Sequence, residues 1–349
     1  MKIAVLVSGG VDSSVALQLL KQQGHDLTAF YLKIWLEDEL SFLGNCPWED
    51  DLHYVQLLCK QLQVPLKIIS LQKEYCEEIV SYALAEVKAG RTPNPDIFCN
   101  QRIKFGLFLD KISSSFEKVA TGHYAQLSYH DNKIQLLCAP DLVKDQTYFL
   151  SYLSQDQLKR SLFPIGHLQK SEVRSLAHQF DLPTKNRKDS QGICFLGRLK
   201  FREFVKYHLG EKEGLFLEIE TDKEVGKHAG YWFYTIGQRQ GIGLANGPWY
   251  VVSKDIEKNI VYISRNYYAI DKERDSFLIT QCNWFNGLPI KKELQVKIRH
   301  GELRHTCTIK TDKSGGFNVK LALRDQGIAA GQFAVFYDGD ICLGGGIIG

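Results

Sequence analysis

Ile3-Ala4-Val5-Leu6-Val7-Ser8-Gly9-Gly10-Val11-Asp12-Ser13-Ser14 decides the fold of this chain. Its first five residues form an unbroken apolar run, the pattern of a strand buried in a parallel sheet. Beyond Ser14, Val15, Leu19 and Leu20 recur at helical spacing, so the chain continues as a helix. Strand, glycine turn, helix start is the geometry of a phosphate cradle. Gly9 and Gly10 can take positive φ and turn backbone N–H groups toward an anion. The helix N-terminus adds unpaired donors and the positive end of its dipole. Ser8, Ser13 and Ser14 offer hydroxyls. Two common phosphate loops are excluded: no Lys-Ser/Thr pair closes a Walker A loop, and no third glycine completes a dinucleotide fingerprint.

Outward from this stretch, strands alternate with helices. Residues 27–33 and 66–70 read as strands. Between them, 50–62 reads as a helix with Leu52, Val55, Leu58, Cys59 and Leu62 on one face. Trp35 to Glu39 reads as an acidic loop. A helix carrying Ile79, Val80, Ala83, Leu84 and Val87 ends at Gly90, and Arg91 to Asp96 reads as a rigid loop. Residues 118–122 are a short strand entering a glycine turn. This alternation predicts a parallel sheet with helices on both faces and ligands beyond the strands' carboxyl ends. Ser8–Ser14, the residue after the second strand and Gly122 are thereby gathered around one crevice. A hairpin is expected over 125–129 and 133–138, turning at Asp131-Asn132, and a helix over 171–180. From about Phe201 one helix, 201–209, gives way to glycine-rich turns and short strands. Beyond Arg265 the segments 294–299, 305–310, 317–323, 333–337 and 342–348 read as strands of a small β-barrel. The expectation is an α/β chain in three units: a parallel-sheet domain (1–200), a small central α+β domain (201–264) and a C-terminal β-barrel (265–349).

The 349 residues allow two or three domains, and 44% hydrophobic content is enough for real cores. A net charge of +3 neither demands nor excludes a nucleic-acid partner. The chain enters a strand at once, without a leader pattern, and has no apolar run of membrane length. The cytoplasm is the expected location, where nine cysteines would stay reduced. None is spaced as C-x-x-C, so no metal site is expected.

Two cysteines stand out by their neighbours. Cys99 follows Asn94-Pro95-Asp96-Ile97-Phe98, with Arg91, Arg102 and Lys104 nearby. Cys194 follows Asp189-Ser190-Gln191-Gly192-Ile193, with Arg187, Lys188 and Arg198 nearby. Cations raise the thiolate fraction of a cysteine, although each of these, taken alone, reads more readily as a buried inert thiol. Residues 183–206 hold seven Lys/Arg against Asp189 and Glu203, a basic stretch flanking Cys194.

The loop Ser8–Ser14 resembles the SGGxDS loop of the PP-loop ATP pyrophosphatases, which have an adenine nucleotide α-hydrolase-like fold. Taken with 94–100, 120–125, 144–150, 189–195, 234–241, 337–340 and 344–346, it resembles the bacterial tRNA-specific 2-thiouridylases from the first strand to the last. The resemblance implies ATP with Mg²⁺, bound at Leu6, Val7, Ser8, Gly9, Gly10, Val11, Asp12, Ser13, Leu32 and Gly122. It implies adenylation of the wobble uridine (U34) of tRNA(Lys), tRNA(Glu) and tRNA(Gln), then sulfur insertion with release of AMP and pyrophosphate. Cys194 would carry a persulfide. Cys99 would be the second thiol, releasing the sulfur or closing a Cys99–Cys194 disulfide. Asp96 would be the general acid/base, and Asn94, Pro95 and Asp96 would meet the target base. His123, Lys144, Asp145, Gln146, Arg299, His300 and Gln332 match tRNA-contacting positions, although His300 stands where the family commonly has Tyr. The resemblance further implies a monomer, free of membranes, fed by a cysteine desulfurase or a sulfur-relay protein. The alternative is a PP-loop ligase or amidotransferase, which adenylates its substrate for attack by ammonia and needs no paired thiols.

Overall fold

The structure is a computed structural model that describes residues 1–34, 47–131, 133–189, 201–267, 269, 274–313 and 315–349. Trp35, the acidic loop behind it and Cys194 lie outside the described residues. In chain order the first unit contributes β1 (Lys2–Leu6), β2 (Asp26–Lys33), β3 (Leu66–Ser70), β4 (Lys118–Ala120), β5 (Ala125–His130), β6 (Lys133–Cys138) and β7 (Ser161–Leu162). Five of these form a parallel sheet in the order β3-β2-β1-β4-β7. β1 is apolar from Ile3 to Leu6 because both of its faces are covered there. Ile3 and Val5 enter one core with the helices Val11–Gln22, Pro47–Leu62 and Lys170–Gln179. Ala4 and Leu6 enter the opposite core with the helical runs 72–88 and 95–111. Strand order reverses between β1 and β4, so the crevice opens at their carboxyl ends.

One local reading is corrected. The rigid loop ends at Asn94, and Pro95 occupies the first helical position, where its missing N–H costs nothing. Cys99 therefore lies inside a helix, at the start of the wide i→i+5 turns of Cys99–Leu107. The helix Lys170–Gln179 is capped by Gln169, whose backbone N donates to Glu172 Oε2 at 2.6 Å.

The second unit follows the helix Phe201–Leu209 with β8 (Gly214–Glu218), β9 (Glu224–His228), β10 (Tyr250–Asp255) and β11 (Ile260–Ser264). They form one sheet, β10-β11-β8-β9, over a core of Phe216, Trp249, Val251, Val261 and Ile263. The third unit is β12 (Arg274–Trp284), β13 (Glu293–Lys297), β14 (His305–Thr311), β15 (Phe317–Asp325), β16 (Phe333–Asp338) and β17 (Ile341–Ile348). Their order β12-β15-β14-β13-β16-β17 closes through a β12–β17 pairing into a six-stranded barrel. β12, absent from the expected strands, is the closing strand.

The barrel is joined to the first unit by strand pairing and by ring packing. The hairpin β5–β6 extends the barrel sheet, with Leu137 opposite Ile341 and Leu136 opposite Cys342. Phe98, Tyr152 and Phe333 form an edge-to-face cluster with centroids 4.9–5.7 Å apart. Asn283 Nδ2 donates to Ser151 O (2.9 Å) and Leu153 O (3.0 Å). Among the described residues no helix is long and apolar enough to cross a membrane.

Candidate active site

The phosphate loop is tied by its own hydroxyls. Ser13 Oγ accepts from Ser8 N (3.2 Å) and donates to Gly10 O (3.2 Å), while Ser14 Oγ donates to Gly10 O (2.8 Å). Gly10 precedes the helix in an extended conformation, and no side chain caps it. The first helical N–H groups are thus left for an anion. Of the two glycines only Gly9 takes positive φ, +76°. Gly122 is required for a different reason. A Cβ there would lie 2.7 Å from Ser13 N and 2.8 Å from Asp12 C, so the turn after β4 presses on the helix start. Leu32 stands near the carboxyl end of β2, beyond Phe30, which pairs with Leu6. Ser8–Ser14, Leu32 and Gly122 thus share one rim of the sheet.

A network of charges ties this loop to the chain that leads toward Cys194. Asp12 accepts from Lys170 Nζ (2.7 and 2.9 Å) and from Tyr124 Oη (2.8 Å). Lys170 Nζ also lies 2.9 Å from Asp189 Oδ1, and Lys144 Nζ lies 3.0 Å from Asp189 Oδ2. Arg174 completes the set around Asp189. Burial opposes the charge on Asp189, but hydrogen bonds from Lys170 and Lys144 outweigh it and hold the carboxyl well below the usual carboxylate range. Arg187 Nη1 donates to Gly9 O (2.8 Å), its Nη2 donates to Asp51 (2.7 Å), and its guanidinium lies over Tyr54. Burial, reinforced by Asp51, pushes the Tyr31 phenol far above its ordinary value, with Arg187 opposing. Sequence reading missed Lys170, Tyr124 and Asp51. One signal was available: a lysine in the first turn of a helix faces the positive end of the dipole, and here two carboxylates compensate it. Among the described residues of the basic stretch 183–206, three cations are engaged within the fold. Arg187 serves the phosphate loop, Lys185 pairs with Asp181, and Arg202 lies over the Phe233 ring.

Cys99 is fully buried. Burial pushes its thiol above the ordinary value, Lys104 opposes this and Asp96 adds to it. The cations close to it in sequence are mostly drawn elsewhere. Arg91 Nε donates to Glu86 (2.7 Å), Arg102 pairs with Glu78 (3.2 Å) over the Phe98 ring, and Lys104 Nζ donates to Asn100 Oδ1 (3.0 Å). Desolvation thus outweighs the nearby cation, and Cys99 is the buried thiol that its neighbours, taken alone, suggested.

The expected RNA-facing residues come from both units. Asn94 and Pro95 open the helix that carries Asp96, which is half-buried. On the barrel side His300 is exposed, with its ring 4.5 Å from that of Phe149. Desolvation and Lys297 lower its pKa, while Asp145 and Asp96 oppose, so these charges lie within reach of one another. Arg299 holds Asp325 through two hydrogen bonds (3.0 and 3.1 Å). Gln332 is half-buried, and its carbonyl accepts from Ile348 N. His123 Nδ1 lies 2.8 Å from Thr121 Oγ1, its ring lies near Phe105 and Phe163, and burial holds it well below the usual imidazole pKa. Gln146 locks Tyr124 through two hydrogen bonds (3.0 and 2.9 Å). Asp145 is the exception. Its side chain is fully buried, and its carboxylate is engaged inside the fold, so it presents no charge to an RNA surface. Among the described residues no three His, Cys, Asp or Glu gather to hold a metal ion.

A parallel sheet headed by this loop, followed by a small second unit and a closed barrel, defines a PP-loop nucleotide-binding enzyme. The sequence matches the tRNA methyl transferase HUP domain over residues 1–198, the tRNA methyl transferase PRC-barrel domain over 202–265 and the aminomethyltransferase beta-barrel domain over 274–348. It is 45% identical to the tRNA-specific 2-thiouridylase MnmA of Parabacteroides distasonis, covering 100% of this chain and 99% of that one. With the same coverage it is 44% identical to the protein of that name from Porphyromonas gingivalis. The chain belongs to the tRNA-specific 2-thiouridylase family. The solved U34-tRNA thiolase NcsA of Methanococcus maripaludis, with its 4Fe-4S cluster, is 19% identical, with a TM-score of 0.35 over 60% of this chain and 65% of that one. That likeness is too low to add to the assignment.

Proposed function

We propose that this protein inserts sulfur at C2 of U34 in tRNA(Lys), tRNA(Glu) and tRNA(Gln), consuming ATP and releasing AMP and pyrophosphate. The observation that supports this best is Lys170, which bridges Asp12 of the phosphate loop and Asp189, just ahead of Cys194 in the chain. ATP is a substrate here. The free donors after Gly10 and the close approach of the Gly122 turn to the helix start fit a polyphosphate, with Leu6, Val7 and Leu32 beside the nucleoside. Mg²⁺ would enter on the phosphates, with few protein ligands, as is usual for this ion.

Uridine O2 is a poor leaving group, and transfer of AMP to it makes it a good one. Asp96, beside the base held by Asn94 and Pro95, accepts or returns the proton. The terminal sulfur of a Cys194 persulfide attacks C2; the C2–S bond forms, the C2–O bond breaks and AMP leaves. The Cys99 thiolate then attacks Cys194 Sγ. The S–S bond breaks, its electron pair stays on the sulfur at C2, and a Cys99–Cys194 disulfide remains for a dithiol reductant to reopen. Because Cys99 is buried with a raised pKa, this last step requires the helix around it to open when tRNA binds. His123, Lys144, Gln146, Arg299, His300 and Gln332 hold the tRNA. We assign the units to 1–200, 201–264 and 265–349, acting as a monomer in the cytoplasm with sulfur from a cysteine desulfurase or a relay protein.

The test is mass spectrometry of tRNA(Glu) incubated with the protein, ATP, Mg²⁺ and a sulfur donor. The expected product is 2-thiouridine, lost in Cys194→Ala and in Cys99→Ala. Thiolation by the double alanine variant would refute this mechanism. ATP-driven incorporation of ammonia, with no thiolation, would favour the ligase reading.

A further inference from the structure

The chemistry above makes no use of the ion pair between Lys297 and Asp145. Lys297, at the end of β13, is 2% exposed, Asp145 is 0% exposed, and Nζ lies 3.0 Å from Oδ2. The rest of the Asp145 carboxylate is occupied by its own loop: Ala139 N at 3.3 Å, Thr147 N at 3.4 Å and Thr147 Oγ1 at 3.0 Å. Lys297 Nζ stands 5.4 Å from the centre of the Tyr337 ring, and Tyr337 Oη lies 3.3 Å from Thr147 Oγ1. Taking two charges out of water brings little net stability over an apolar pair of equal volume, and the best-attested return is a unique register. Here that register spans two units. Asp145 sits between Lys144 and Gln146 on the first unit, and Lys297 lies just ahead of Arg299 and His300 on the barrel. The charges of both partners reach His300.

We propose that Lys297 is a positioning residue for tRNA. Through Asp145 it fixes Arg299 and His300 against Lys144 and Gln146, so that segments from two units meet one RNA in a single arrangement. Lys297 is buried and does not itself touch the RNA. The inference rests on the tRNA reading given above.

The test compares the unmodified protein with Lys297→Met, Asp145→Asn and the double variant. Each single change strands a buried charge and lowers the melting temperature; the double change leaves none stranded and recovers most of it. Positioning predicts that the double variant keeps a tRNA KM raised by roughly tenfold, with the loss falling on KM rather than kcat. A tRNA KM that returns to the unmodified value together with the melting temperature would overturn the proposal, leaving the pair a purely structural role. Should the double variant not fold, Lys297→Arg decides: it keeps the charge but changes its reach, so a raised tRNA KM at near-normal melting temperature supports positioning and an unchanged KM overturns it. Absence of tRNA binding by the unmodified protein would overturn the functional reading and this inference with it.

Discussion

Gly122→Ala isolates the close approach on which the nucleotide site depends. The new Cβ would stand 2.7 Å from Ser13 N, 2.8 Å from Asp12 C and 3.0 Å from Ser13 Cα. Ordinary contact begins at 3.4 Å, so the turn and the helix start must separate by 0.4–0.7 Å. All three obstructing atoms are backbone, so no side chain can swing aside. Gly122 is not among the glycines with left-handed φ, so alanine meets no intrinsic strain and would by itself stabilise the chain by about 0.4–1 kcal/mol. The space decides the sign, and overpacking costs about 1–3 kcal/mol. Catalytic geometry tolerates about 0.5 Å, and a 1 Å misplacement costs on the order of 10²-fold. The expected result is a fall of roughly 10- to 100-fold in kcat/KM for ATP and a melting temperature lower by several degrees, with tRNA affinity unchanged. Pyrophosphate release at varied ATP and saturating tRNA measures the first, and a thermal melt the second. Wild-type kcat and KM for ATP in Gly122→Ala would refute the claim that this clearance shapes the phosphate loop.

Three further outcomes follow from burial and charge. Cys99, with its buried and elevated thiol, should react with iodoacetamide more than about tenfold slower in the folded protein than in the unfolded chain at neutral pH; equal rates would contradict its placement. Asp189 is held below the usual carboxylate range, so its contribution to stability is present at neutral pH and lost as pH falls below about 4, through the folded value. Asp189→Asn should therefore cost about 1–2 kcal/mol at pH 7 and flatten the acid limb of a denaturant-unfolding series, and an unchanged pH 7 midpoint would count against the network. Burial pulls the Lys254 amine down to about 8 while its nitrogen donates to Tyr234 O at 2.9 Å. Between pH 8 and 10.5 the unfolded chain binds more protons, so stability of the central unit should rise with pH by about 1–3 kcal/mol; Lys254→Met should abolish that rise, and its persistence would mean another group is responsible.

What could be read from the sequence follows how local each cause is. β1 and the β5–β6 hairpin were legible because apolar runs and turn residues act over a few positions. β12 was not, because it changes partner midway, from β15 to β17, around an irregularity that contains Gln281 at φ +49°. That break removes the simple alternation by which a strand is recognised. Pro-x-Pro at 93–95 looked like a loop, yet its second proline starts a helix. The phosphate loop and Gly122 were found because their backbone demands are written in glycine. Lys170, Tyr124 and Asp51 were not, since only the folded sheet brings them to the loop. Cys99 shows the limit of such local reading: Arg91 and Arg102 are spent on Glu86 and Glu78, Lys104 does act on the thiol, and burial, which no neighbour in sequence states, outweighs it.

The seam between β6 and β17 has a consequence for biosynthesis. Leu136 and Leu137 wait for Cys342 and Ile341, which lie far downstream in the chain. At about 5–20 residues per second, a ribosome takes roughly 10–40 s to cover that separation. For that interval the nascent first unit carries an unfilled strand edge and a buried-to-be Asp145 with no Lys297 to meet it. The emerging chain is thus most exposed to edge-to-edge association between completion of its nucleotide-binding unit and synthesis of β17.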